Sequence, residues 1–139
     1  MVYNASKLIL EAFEDNKIKC RINETASTSA VEAGYSGSNV SGITLRFIST
    51  DDDNDVACRI FSFLKVPEAK RGAVLEAVNT LQRKYRYVTF TLDDDNEIHI
   101  GHDLPVRTVN VGDVCVEMFI RMAKIADEAY PIFMKAIWS

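Results

Sequence analysis

Residues 61–100 read FSFLKVPEAKRGAVLEAVNTLQRKYRYVTFTLDDDNEIHI, a strand, a helix, a strand, a tight turn and a strand with no residues to spare. Pro67 suits the first position of a helix, where its missing N–H costs nothing, and Glu68 puts negative charge in the first turn. Val74, Val78, Leu81 and Tyr85 then recur at spacings of four, three and four, which lines one face of a helix that has to be buried. Upstream, Val56, Cys58, Ile60, Ser62 and Leu64 alternate with Ala57, Arg59, Phe61 and Phe63. Downstream, Val88, Phe90 and Leu92 alternate with Thr89 and Thr91. A period of two on both flanks means strands, so the helix has sheet on either side of it in the chain.

Toward the N-terminus the same logic gives a short first helix, capped by Asn4, with Leu8, Ile9, Ala12 and Phe13 on its apolar face and Asp15-Asn16 at its end. Ile18, Cys20 and Ile22 alternate with Lys17, Lys19 and Arg21 in a first strand. From 24 to 42 the composition turns to Ser, Thr, Ala and Gly with little periodicity, which predicts a long flexible loop. Gly34-Tyr35-Ser36-Gly37-Ser38 inside it lacks the closing glycine of a nucleophile elbow. Ile43, Leu45 and Phe47 begin a hairpin that turns through Asp51-Asp52-Asp53-Asn54, and a second hairpin turns through Asp93-Asp94-Asp95-Asn96. Asp and Asn favour such turns because they tolerate left-handed conformations and bond to nearby backbone.

Toward the C-terminus, Leu104-Pro105 stops the last strand and Asn110 caps a long final helix. Val111, Cys115, Met118, Met122, Ile125, Ala129, Ile132 and Ala136 step by four and three along it. Pro131 predicts a kink or break near Asp127 to Tyr130, and Trp138, following the apolar stripe, is expected to be packed. The fold class is therefore α+β in the order α-β-β-β-α-β-β-α: a five-stranded antiparallel sheet, with one apolar parity per strand and helices mainly on one side.

A chain of 139 residues is one domain spanning 1–139, and 47% apolar with 26% charged residues is the composition of an ordinary folded protein. A net charge of -4 argues against nucleic acid as a general partner. The first sixteen residues do not read as a signal peptide and no apolar run is long enough for a membrane, so a cytoplasmic location is expected. Cys20, Cys58 and Cys115 are far apart and lie on apolar parities, as reduced core residues would.

Signals for chemistry are sparse. Asp51, Asp53 and Asp55 have the start of an EF-hand spacing, but position six is Val56 and position twelve is Ser62. His99 and His102 fall on opposite faces of a strand, whereas Asp95, Glu97 and His99 share one. No glycine-rich phosphate loop, Ser-His-Asp set or paired buried carboxylate stands out, so no catalytic, cofactor or metal site is assigned. One local imbalance remains: Lys65, Lys70, Arg71, Arg83, Lys84 and Arg86 outnumber Glu68 and Glu76 around the central helix. Lys70, Arg71, Arg83, Lys84 and Arg86 are accordingly the candidate partner-binding residues. Tyr85, Tyr87 and Phe90 cluster beside them as candidate contacts between two copies.

Val66-Pro67-Glu68, Leu75, Asn79-Thr80-Leu81, the run Tyr87 to Leu92 with Asp93-Asp94, and Asp127 with Tyr130-Pro131 together resemble the YbjN-like proteins, labelled putative bacterial sensory transduction regulators. The resemblance implies the fold of the class I type III secretion chaperones, a homodimer, and no catalytic set to carry over. It implies a non-enzymatic protein-interaction module, chaperone-like or regulatory, with a small-ligand or nucleotide-sensing domain as the alternative.

Overall fold

The alternation that ends at Leu64 becomes the middle of the sheet. The computed structural model describes residues 1–139 as α1 (Asn4–Asp15), β1 (Cys20–Glu24), β2 (Ser29–Tyr35), β3 (Ile43–Ser49), β4 (Asp55–Lys65), α2 (Arg71–Lys84), β5 (Thr89–Leu92), β6 (Glu97–Pro105) and α3 (Val111–Trp138). Pro67 does open a helical segment, first as a 3-10 turn over Glu68–Lys70 and then as α2. The strands lie in the order β1-β2-β3-β4-β6-β5, and every neighbouring pair is antiparallel. β4 and β5 flank α2 in the chain, yet β6 sits between them in the sheet.

The architecture is α+β as expected, but the sheet has six strands rather than five. The addition is β2, which occupies the middle of the stretch read as a flexible loop. It pairs with β1 on one side and β3 on the other, and its residues Ser29 to Ala33 are buried on both faces. A strand buried on both faces and built from small residues shows no alternation to find.

Register explains the layering. Val31, Phe47 and Cys58 are opposite one another across β2, β3 and β4, and Ile60, Ile100 and Phe90 across β4, β6 and β5. This face is buried with Ile9 and Phe13 of α1, Val74 and Leu81 of α2, and Cys115, Met122 and Phe133 of α3 in one core of 30 residues. Phe13 meets Phe47 edge-on at 5.2 Å and Phe90 meets Phe133 at 5.8 Å. All three helices thus share one side of the sheet. The opposite face carries the cross-strand row Arg21, Glu32, Arg46, Arg59, Gly101 and Thr89. Glu32 is 3% exposed there because Arg21 and Arg46 close over its carboxylate at 2.9 and 3.2 Å.

Several local expectations are corrected. α1 begins at Asn4, whose N–H donates to Asp52 at 2.7 Å, so the cap comes from the first acidic turn rather than from the Asn4 side chain. Asn110 precedes α3 in a left-handed conformation without a side-chain cap. α3 runs unbroken through Pro131. Proline leaves the carbonyl four residues back without its helical donor. That carbonyl belongs to Asp127, and the Asn39 side-chain amide donates to it at 3.1 Å. Trp138 is 79% exposed, because in the last turn of α3 it is Ile137, 5% exposed, that faces the core, and the next residue is turned out to solvent. Cys58 and Cys115 are buried and Cys20 is half-buried. The Cys58 sulfur beside it, and then burial, push the Cys115 thiol up. No helix is long and apolar enough to cross a membrane.

Candidate interaction surface

α2 stops where Tyr85 turns extended, and Tyr87 follows with a φ of 73°, so the chain doubles back beside α3. This reversal brings the cationic end of α2 against a second set of cations. The Arg121 guanidinium lies 4.9 Å from the centre of the Tyr87 ring, and the Lys84 ammonium 5.3 Å from that of Tyr85. Both distances are in the range of cation–π attraction. Together with Arg86, Lys124 and Glu128 these residues line a groove of about 350 Å³ between the end of α2 and α3. The Tyr85 hydroxyl donates to Glu128 at 3.0 Å. Burial, and then that carboxylate, push the Tyr85 phenol up to about 12. Arg121 is steadied by Glu117 one turn earlier, at 2.8 Å. Tyr87, 52% exposed, presents its ring at the centre.

The sequence-predicted residues divide accordingly. Lys84 and Arg86 line the groove. Arg83 is exposed on α2 outside its lining. Lys70 donates to the terminal Ser139 carbonyl at 2.6 Å. Arg71 is turned into the fold, donating to the Asp93 carbonyl and to Asn96, both at 2.7 Å, where it pins the second acidic turn. Phe90, expected as a contact between copies, is 1% exposed and packs on Phe133, so its side chain is part of this chain's own core. Arg121 and Lys124 are not among the sequence-predicted residues, because the apolar stripe is the dominant pattern of α3. The signal was present: Arg121, Lys124 and Glu128 step by three and four along the other face of that helix.

A second cluster serves the sheet itself. Asp93, rather than the expected Asp95, joins Glu97 and His99, with ligand-type atoms within 4.8 Å of one another. His99 Nδ1 accepts the Ser62 N–H at 2.9 Å, which places the hydrogen on Nε2, donated to Asp93 at 2.7 Å. Both ring nitrogens are therefore occupied. The Ser62 hydroxyl donates to Glu97 at 3.1 Å. These bonds hold a β-bulge between Ile60 and Leu64, with Ser62 at a φ of 50°. Phe61, beside the bulge, stands on the bare face with the Arg46 guanidinium and the His99 ring each 5.9 Å away.

A family model described as "YbjN: Putative bacterial sensory transduction regulator" matches residues 7–131. Among solved structures, the crystal structure of YbjN, a putative transcription regulator from E. coli, matches with a TM-score of 0.58 at 14% identity, covering 88% of this chain and 89% of that one. Identity that low makes this a likeness of fold. No curated protein matches the chain. The residues that carried the resemblance have structural work: Glu68 accepts from Asn96 at 2.6 Å, and Asp127 holds the Asn39 loop. Matched from the first helix through all six strands and into the last helix, the chain belongs to the YbjN family.

Proposed function

We propose that this chain is a non-enzymatic interaction module, regulatory or chaperone-like in kind, and that it holds an acidic segment of a partner protein in the groove between the end of α2 and α3. The observation that carries this is the convergence of Lys84, Arg86, Arg121 and Lys124 from two elements around a half-exposed Tyr87. The chain as a whole has a net charge of -4, so the cationic groove is a local feature. Concentrated charge steers an oppositely charged partner and orients it, and exposed Tyr and Arg are the residues that most often anchor interfaces. The family's description and that of the E. coli structure both point to regulation, which a partner contact can deliver without chemistry. The layout of three helices on one side of an antiparallel sheet, which leaves the other face bare, is compatible with the same reading. Three unpaired cysteines suit a reducing cytoplasm.

Affinity capture from native lysate tests this, comparing the wild type with an Arg86→Glu/Arg121→Glu variant shown by circular dichroism to be folded. The expected result is a partner with an acidic segment that the wild type retains, that added salt releases and that the variant does not bind. Equal retention by the variant would move the contact elsewhere.

A further inference from the structure

On the bare face, where β4, β6 and β5 run side by side, there is a depression of about 420 Å³ lined by Arg59, Phe61, Thr89, Thr91, His99 and Gly101, among others. Its floor exists because a glycine stands in mid-strand. A Cβ on Gly101 would lie 3.0 Å from Nη1 of Arg59 and 3.2 Å from both its Cδ and its Cζ, so the guanidinium rests flat on the glycine. Asp103 at 2.8 Å and the His102 carbonyl at 3.2 Å hold it there, and the side chain keeps 28% of its surface open. Beside it Phe61 is 46% exposed on the solvent side of the β4 bulge. Ser62 in a left-handed conformation is a strained choice for a residue other than glycine, and such strain gathers at binding sites. Three side chains, His99, Glu97 and Asp93, are committed to holding it.

Charge is not what this site selects, since Asp103 answers Arg59 and Asp93 is bonded to His99. What it offers is a fixed guanidinium plane, an aromatic wall and two threonine hydroxyls. Guanidinium planes and phenylalanine rings both stack on flat π-systems, and hydroxyls can donate to or accept from a heterocycle's edge. We propose that the depression binds a planar heteroaromatic ring of the nucleobase class, seated on Arg59 against Phe61 with its polar edge toward Thr89 and Thr91. The site is independent of the Tyr87 groove, and either can fail alone.

The test is an amide NMR titration with adenosine, guanosine, cytidine and uridine in turn, with ribose 5-phosphate as the ring-free control. At least one nucleoside shifts the amides of Phe61, Thr89, Thr91 and Gly101 saturably, and ribose 5-phosphate does not. Phe61→Ala weakens that binding roughly ten-fold, the order expected for loss of a stacking partner. Arg59→Lys, which keeps the charge and loses the plane, also weakens it. Both positions lie on the bare face outside the core, so both variants are expected to keep the wild-type spectrum elsewhere. No saturable shift at millimolar nucleoside overturns the proposal. So do equal shifts with ribose 5-phosphate, shifts confined to Arg86 and Tyr87, or undiminished affinity in Arg59→Lys.

Discussion

Asp127 shows how one side chain joins two distant parts of the chain. Its Oδ1 accepts the N–H of Asn39 at 2.7 Å and of Val40 at 3.0 Å, while its backbone carbonyl, freed by Pro131, accepts from the Asn39 amide. Gly37 has to be glycine for this closure, because a Cβ there would come within 2.6 Å of the same carboxylate oxygen. Asp127→Ala leaves two backbone donors without their partner, and we expect a loss of about 1–3 kcal/mol in urea unfolding. Hydrogen exchange at Asn39 and Val40 should accelerate more than at core amides, and unchanged exchange there would refute the clamp. At Tyr85 the raised phenol gives a second test. A group whose folded value lies above its unfolded one stabilises the fold below the unfolded value, about 10 for tyrosine, and loses that contribution as pH rises through the folded value. Ultraviolet titration of the native protein should therefore show one of its five tyrosines ionising late, near about 12, and Tyr85→Phe should abolish that late step.

The two acidic turns are equivalent elements. In each, the first aspartate accepts backbone N–H groups of its own turn: Asp51 from Asp53 at 2.8 Å and Asn54 at 2.7 Å, Asp93 from Asp95 and Glu97, both at 2.9 Å. The Asn54 side chain, and the Glu97 N–H followed by His99, hold Asp51 and Asp93 respectively below the usual carboxylate range. Here the folded value is the lower one, so the contribution is present above the unfolded value, about 3.9, and is lost as pH falls through the folded one. The urea midpoint should fall on acidification from about pH 5 to about pH 3, and fall less steeply in Asp93→Asn. These turns were legible because turn chemistry is local, as were α2, β4 and β6, whose patterns have one buried face. β2 was not, since burial on both faces erased its alternation. The groove was half legible: Lys84 and Arg86 are adjacent to the helix end that poses them, while Arg121 and Lys124 arrive only through the packing of α3.

Taken whole, the molecule gives a second copy little to hold at the surface the sequence suggested. The surplus apolar area at Phe90 is covered by Phe133 of the same chain. The outer edge of β5 is occupied as well, since Gln82 donates to the Phe90 carbonyl and accepts its N–H, both at 3.0 Å. A strand edge so capped cannot extend into another sheet at that residue. A two-fold axis through Tyr87 would press Arg86, Arg121 and Lys124 toward their own copies. Light scattering is accordingly expected to read 15.6 kDa at micromolar concentration, and twice that mass would mean another face pairs. The place of β6 between β4 and β5 also sets an order of assembly. During synthesis β2, β3 and β4 can each zip onto the strand before, but β5 emerges with no neighbour to join. The open side of β4 has to wait, on the order of seconds at ordinary translation rates, until β6 has left the ribosome. A nascent chain emerged only as far as Asp93 would thus carry β5 unpaired and β4 with one edge open, and the last strand made is the one that closes the sheet.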